Sequence, residues 1–506
     1  MKTPKHVVIT TGGTAEPIDD VRRITNTSTG KLGYEISRAL SDLGYLVEAI
    51  TAEASMLLPE IPGVTRIPFT STVSLRERIF ERDNPDIVIM AAAVSDYAPI
   101  PIEGKISSDQ ETLTIHCVKT PKILPTLREK FGPDAFIVGF KLLSGVSRQE
   151  LIRVAQKQLA DCHLNLTVAN DLSSITGDQH PVIVITPEGG TIDMTGTKAE
   201  VAVQLAEFID KRASARRFQD VPTHTVTINR PDPILAGYAT VLETAKALNL
   251  FTDKSGHVSV VNDDDTLWIS PRQVDKSTMK NLDAVLIELD DTKVYYEGRV
   301  LPSSDAGVIA ALSIHPRSKS AAYLHFHNGW GRMNHQTQFP YPCGTIEEYI
   351  EIASNTLEVW SRPTYGISVE LIHHGFLLGF PDIDTVARLK KAWRETHAEF
   401  VEHATTALNQ TNKTLFDGRF DRRKFRPIWS GITIAGLIYG DPERATVYLT
   451  PYARHKGLGK IVTKQLIDRQ YTIRTLDACA VADYYKKAGF TARIEADGFT
   501  YLAPPV

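Results

Sequence analysis

One stretch limits the fold of this chain more than any other: Ile87-Val88-Ile89-Met90-Ala91-Ala92-Ala93, an apolar run with no polar interruption. A strand with one wet face alternates in polarity, so an unbroken run like this reads as a strand covered on both faces, as in a parallel sheet. Strand-like runs at 7–9, 46–50, 136–140, 166–169 and 182–185 alternate with helical patterns at 33–43, 74–82 and 149–160. That alternation predicts a Rossmann-like α/β domain over residues 1–212, a parallel sheet with helices on both faces. The basic stretch from Lys211 to Arg217, then Asp220-Val221-Pro222, marks its end.

With 506 residues the chain is long enough for about three domains. A second segment, 223–410, closes with an amphipathic helix whose apolar face carries Val386, Leu389, Trp393 and Phe400. The polar run Asn409 to Thr414 leads into a third segment, 415–506. A net charge of -4 gives no general pull toward nucleic acid or anionic membrane. No apolar run approaches the ~20 residues that span a bilayer. The N-terminus enters the strand Val7-Val8-Ile9 with no signal peptide, and Cys117, Cys162, Cys343 and Cys479 form no C-x-x-C pair. Reduced, mostly buried thiols and a soluble, cytoplasmic protein are expected, with no nucleic-acid or membrane partner.

The first strand runs into Thr10-Thr11-Gly12-Gly13-Thr14. Two glycines there let the backbone turn tightly and approach a phosphate, although a bare Gly-Gly turn more often serves packing alone. The turn does not follow the G-x-G-x-x-G dinucleotide pattern. Segments downstream of it are more specific: Glu16-Pro17-Ile18-Asp19, Asn26-Thr27-Ser28-Thr29-Gly30, Ala92-Ala93-Val94-Ser95-Asp96, Lys105-Ile106-Ser107-Ser108, Lys119-Thr120-Pro121-Lys122, Gly139-Phe140-Lys141 and Ala169-Asn170-Asp171. In order and spacing, across about two hundred residues, this series resembles the phosphopantothenate–cysteine ligase family.

The resemblance implies a ligase that activates a carboxylate as an acyl-nucleotidylate with CTP or ATP and Mg2+, then couples it to an amine, phosphopantothenate with cysteine. It implies catalytic roles for Asn26 and for Lys105, the latter on a flap that closes over the phosphates. It also implies nucleotide or substrate contacts from Gly12, Gly13, Thr14, Ser28, Thr29, Gly30, Asp96, Phe140, Lys141 and Asn170. The family's K-x-K-K flap is K-I-S-S here, two positive charges fewer, and CTP and ATP both stay open.

In the second segment, Ser255-Gly256-His257-Val258-Ser259, Ile269-Ser270-Pro271, Asp275-Lys276, Pro302-Ser303-Ser304-Asp305, His325-Phe326-His327 and His373-His374-Gly375 come in turn. H-x-H on a strand puts two imidazoles on one face, where they can share a metal. The order resembles the class II aldolase/adducin family, an α/β fold. That implies Zn2+ or another divalent cation on His325, His327 and His374, with His373 a bystander. It further implies a sugar-phosphate site at Gly256, Ser303 and Ser304, and a lyase or epimerase using Asp305 as acid/base. Two positions depart from the family: His257 stands for its Asn, and Asp305 for its Glu.

The third segment, from Arg454-His455-Lys456-Gly457-Leu458-Gly459 to Asp483-Tyr484-Tyr485, resembles a truncated GCN5-related N-acetyltransferase, a small α+β domain. The resemblance implies acetyl-CoA bound through Arg454, Gly457 and Gly459, with Tyr485 as general acid. The whole reads as a multifunctional homo-oligomeric enzyme. The alternatives are a specialised-pathway ligase for another phosphorylated acid, or an active ligase carrying two scaffold domains.

Overall fold

The run at Ile87 becomes the inner strand Ile87–Met90 of an eight-stranded sheet, and all four of its residues are buried. The structure, a computed structural model, divides into two units, Met1–Ser214 and Ala215–Val506. It describes all residues except 1–4, 108–110, 224–232, 252–253, 263–265, 281–282, 298–299, 316–319, 334, 357–366, 373, 412–420, 422–423, 455–456, 477–479, 495–498 and 506.

In the first unit the strands lie in the order Thr191–Met194, Val182–Ile185, Leu166–Asp171, Phe136–Leu143, Ile87–Met90, His6–Thr11, Leu46–Ala52, Val64–Phe69. The first strand pairs in parallel with Leu46–Ala52 on one side and with Ile87–Met90 on the other. The chain therefore builds toward one edge, then returns and builds toward the other. That reversal leaves a crevice at the carboxyl ends of His6–Thr11 and Ile87–Met90.

The sheet is not parallel throughout, as the alternation predicts. Leu166–Asp171, Val182–Ile185 and Thr191–Met194 pair antiparallel. Among the described residues no helix long enough for a crossover separates them, and only a crossover could return the chain in parallel. Ile87–Met90 also stops short of Ala93. There the backbone leaves its neighbouring strands and pairs with the glycine turn, Ala93 N–H donating to the Gly12 carbonyl at 2.8 Å and Thr14 N–H to the Ala93 carbonyl at 3.1 Å.

Helices cover the sheet where their caps and stripes dictate. Ser147 caps Arg148–Asp161, and Thr197 with Glu200 forms a capping box on Lys198–Ala213, which buries Val201, Leu205, Phe208 and Ile209. The helix Lys31–Asp42 differs: it starts at Gly30 in the left-handed region, with no side chain capping it.

The second unit is built on a nine-stranded sheet in the order Gln219–Thr223, Lys293–Glu297, Val285–Asp290, Leu267–Ile269, His257–Val261, Ala322–Phe326, Gly375–Phe380, Ile367–Leu371, His335–Gln336. Alternation along Ala322–Phe326 sends Leu324 and Phe326 into one core and Tyr323 into the other. The first core holds the helices Pro233–Ala247 and Ile383–Thr411, the latter through Val386, Leu389, Trp393 and Phe400 as its periodicity predicts. The second holds Ala306–Ile314, whose nine residues are apolar or small and buried except Ile314.

Residues beyond 420 share that first core: Phe425, Trp429, Leu437 and Tyr448 pack with Phe326 and Phe400. A four-stranded sheet runs Trp330–Arg332, Phe425–Ser430, Thr433–Tyr439, Thr446–Leu449, so its first strand comes from the middle segment. A three-stranded sheet of Ile473–Leu476, Phe499–Ala503 and Thr491–Ile494 completes the chain. Among the described residues no helix is long and apolar enough to cross a membrane.

Candidate functional site

A cavity of about 650 Å³ opens at the carboxyl ends of the first unit's strands, within the range that holds a small molecule. Asn26 to Gly33 form one wall and Met90 to Asp96 another; Thr120 to Leu124, Phe140 to Leu142, Gln158, Asn170, His180 and Lys198 also line it. Of the residues expected from sequence, it gathers Asn26, Ser28, Thr29, Gly30, Asp96, Phe140, Lys141 and Asn170.

It does not gather Gly12, Gly13, Thr14 or Lys105, none of which lines it. Gly12 has φ +92°, and a Cβ there would lie 2.5 Å from that of Ala52 and 2.7 Å from Ser55 Oγ. The turn is packed closely against Ala52 and Ser55. Thr14 shapes the wall from behind: its hydroxyl donates to Ser95 Oγ at 2.9 Å and accepts from the Ser95 N–H at 3.0 Å.

Lys105 is exposed on a stretch held by Asp19. Burial alone would raise the Asp19 pKa, but N–H donors from Arg22, Ile106 and Val21 pull it down to about 2. Arg22 adds an ion pair at 2.8 Å, and its guanidinium also donates to the Ile106 carbonyl. Ser108 lies outside the described residues.

Asn26 donates its amide to the Ala93 carbonyl at 3.0 Å, tying the two walls together. Four lysines line the cavity, Lys31, Lys122, Lys141 and Lys198, and Asp96 faces Lys122. Asp178 pairs with Lys31 at 2.9 Å, which lowers its own pKa and raises that of the lysine. The excess of positive charge, with the uncapped start of Lys31–Asp42, suits a polyanion.

Two wall residues carry no motif. Gln158 donates to the Phe140 carbonyl at 3.3 Å, while its Oε1 is buried with no protein partner. Asn170 donates to His180 Nε2 at 3.3 Å, which puts the His180 proton on Nδ1, also buried with no protein partner. Burial lowers the His180 pKa, so the ring is neutral. One unmet acceptor and one unmet donor in the wall are what a polar ligand would satisfy.

In the second unit, His325, His327 and His374 converge, with their ligand atoms within 4.8 Å of one another. His325 sits on Ala322–Phe326, and its Nδ1 donates to the Phe376 carbonyl at 3.1 Å, leaving Nε2 as the donor atom toward a cation. His374 Nδ1 is 3.1 Å from Glu348 Oε1, so its Nε2 is likewise the nitrogen it can offer. His325 Nε2 and His327 Nε2 are 3.1 Å apart. Burial drives the His325 pKa well below that of a free imidazole. Three converging imidazoles, two of them oriented through Nδ1, fit a divalent metal.

Asp305 sits at the start of the buried helix Ala306–Ile314, its Oδ2 4.0 Å from His325 Nε2 and 3.7 Å from His257 Nε2. His257 pairs across the sheet with His325, and burial lowers its pKa to about 4. Gly256 abuts the His325 carbonyl so closely that a Cβ would collide with the oxygen. Ser303 is buried, and Ser304 Oγ meets Cys343 Sγ at 3.0 Å. The adjacent His373 lies outside the described residues. Of the cysteines, Cys117 is exposed, Cys162 buried and Cys343 between; Cys479 lies outside the described residues.

In the last segment, Gly457 opens the helix Leu458–Asp468 in the left-handed region with no side-chain cap. Arg454 lies over the Tyr448 ring and donates to the Leu449 carbonyl. Tyr485 is buried against Phe490, and its pKa rises through burial. Its neighbour Tyr484 is the tyrosine whose hydroxyl lies beside Gly459 and 3.4 Å from Thr463 Oγ1.

Comparison with known proteins matches residues 3–212 to the DNA/pantothenate metabolism flavoprotein C-terminal domain and 238–351 to the class II aldolase and adducin N-terminal domain. Curated relatives include the coenzyme A biosynthesis bifunctional proteins CoaBC of Methanocaldococcus jannaschii, 35% identical over 211 residues, and of Bacillus subtilis, 38% over 173. These matches cover 42% and 34% of this chain and 51% and 41% of the relatives, so the chain spans about half the length of the first of them, or less. The solved DNA/pantothenate metabolism flavoprotein of Streptococcus pneumoniae is 33% identical, covering 41% of this chain and 99% of that one, with a TM-score of 0.38. The two family matches thus fall on separate segments of the chain, 3–212 and 238–351.

Proposed function

We propose that the first unit is a carboxylate–amine ligase of the phosphopantothenoylcysteine synthetase type, acting in coenzyme A biosynthesis. The observation that carries this reading is the lysine-lined cavity at the strand reversal, which gathers Asn26, Asp96, Phe140, Lys141 and Asn170. A carboxylate oxygen of phosphopantothenate attacks the α-phosphorus of CTP or ATP, and pyrophosphate leaves with the bonding electrons. The cysteine amine then attacks the acyl carbon; the nucleoside monophosphate departs, and the nitrogen loses its proton to solvent. Lys31, Lys122, Lys141 and Lys198 offset the charge of the phosphates. Mg2+ would shield the triphosphate.

Lys105 is exposed, consistent with a flap that comes down only over a bound nucleotide. Gly12, Gly13 and Thr14 act on the site through packing.

In the second unit, His325, His327 and His374 would hold a divalent metal, with Asp305 beside it as acid or base. The metal would polarise a carbonyl, and Asp305 would move the proton next to it. Ser304 and Gly256 would flank a phosphorylated sugar. For the last segment, the Gly457-led helix is the observation that favours acyl-CoA binding, with Arg454 and Gly459 near the diphosphate.

Incubation with 4′-phosphopantothenate, cysteine, magnesium and either CTP or ATP tests the ligase. Pyrophosphate release with coupled product supports it; no product with either nucleotide overturns it. For the second unit, metal analysis of the purified chain and of His325→Ala tests the three-histidine site.

A further inference from the structure

The histidine cluster has a second set of donors at its flank. Asp305, Cys343 and His374 bring a carboxylate oxygen, a sulfur and an imidazole nitrogen within 4.8 Å of one another, and His374 belongs to both sets. Asp305 and His374 are buried, and the Cys343 thiol donates to Asp305 Oδ1.

This arrangement is held from two sides. Gly344, directly after the cysteine, has φ +77°, and a Cβ there would collide with the Ser304 carbonyl oxygen. The cysteine turn is therefore pressed onto the Ser304-Asp305 backbone at a spot only glycine tolerates. From the other side, Glu348 accepts the Gly344 N–H at 2.7 Å with Oε2 and the His374 Nδ1 proton at 3.1 Å with Oε1. One carboxylate thus sets both the cysteine turn and the histidine ring. A thiol with only a packing role requires neither constraint.

We infer that Asp305, Cys343 and His374 form a second, sulfur-containing cation position beside the three histidines, one that selects a thiophilic divalent cation such as zinc over magnesium or manganese. A thiolate binds borderline and soft cations far better than hard ones. On binding, the S–H bond breaks, its proton passes to solvent, and the sulfur lone pair forms the bond to the cation; nothing is oxidised. Because His374 is shared, the cation occupies one position or the other. Sulfur ligation would then withdraw the cation from the open coordination that the three histidines offer, and would occupy Asp305 at the same time. The inference uses the metal-binding reading of the second unit, but its sulfur and carboxylate donors lie outside the three-histidine set.

Cobalt(II) added to the full-length, metal-stripped protein tests this, because a cobalt–thiolate bond gives an intense near-ultraviolet charge-transfer band while histidine ligation gives only weaker visible bands. The expected result is a charge-transfer band in the parent protein and in His325→Ala, and its complete loss in Cys343→Ser with visible bands retained. Circular dichroism checks that each variant folds. Visible bands without a charge-transfer band in the parent overturn the sulfur position and leave the three-histidine site standing, and a band that survives Cys343→Ser overturns it too. No cobalt uptake at all overturns both.

Discussion

Oε1 of Glu348 lies 3.1 Å from Nδ1 of His374, and this contact fixes which nitrogen His374 can offer a cation. Partners of this kind orient a metal-binding imidazole and raise its basicity, and losing one costs about 10–100-fold in metal affinity. Glu348→Ala should weaken zinc binding by that factor in a competition titration against a chromogenic chelator. Glu348→Gln, which keeps an acceptor oxygen but not the charge, should fall between the two. Unchanged affinity in both variants would mean that Glu348 only packs.

Asn26 joins the two cavity walls through the Ala93 carbonyl. Asn26→Asp replaces that donor with a carboxylate facing a carbonyl oxygen and adds negative charge where phosphates bind. Removing one donor to a developing oxyanion costs about 10²–10³ in rate. Product formation should drop by at least that much, with the melting temperature nearly unchanged, since Asn26 is exposed.

The first unit was legible in its sequence because its strands alternate with helical patterns, and the apolar stretch at Ile87 has the composition of an inner strand. The antiparallel strands Val182–Ile185 and Thr191–Met194 were not, because burial gives the same composition in either direction. Gln158 could have been found: it comes after Leu151 and Ala155 at helical spacing, a polar residue on a buried stripe. His180 has no such signal, since a loop places it. At the glycine turn the sequence could not show the packing, because what presses on Gly12 is Ala52, distant in sequence. Cys343 was readable as a letter only; its neighbours Asp305 and Glu348 come together through the fold.

Packing at that turn is measurable. In Gly12→Ala the added methyl would meet Ala52 and Ser55 at a positive φ, and forced overpacking costs about 1–3 kcal/mol. Denaturant unfolding of the first unit should show a loss of that order. Because the turn does not line the cavity, binding of nucleotide to the remaining folded protein should change little.

Asp19 gives the first unit an acid-sensitive step. Its folded pKa, about 2, lies below the ordinary 3.8, so the unfolded chain binds the proton more readily than the fold does. The stability this contributes is complete above pH 4 and is lost as pH falls toward 2. Asp19→Asn should flatten that part of the stability–pH curve. It should also speed proteolysis around 103–107, because the N–H of Ile106 loses a charged acceptor. An unaltered curve would show that the backbone donors do not depend on the charge.

Trp429 tests whether the end of the chain is separable from the histidine cluster. It is fully buried, and its ring sits 5.6 Å from that of Phe326, the residue between His325 and His327. Its strand also pairs with Trp330–Arg332, just beyond His327. Trp429→Ala leaves a cavity in that core and should cost about 3–5 kcal/mol. The void lies against Phe326, whose backbone joins the two histidines, so zinc affinity should fall along with stability, although Trp429 is no ligand. A segment that folded alone would lose stability and leave zinc binding untouched. Parallel urea and zinc titrations of this variant therefore decide whether residues beyond 420 support the histidine cluster.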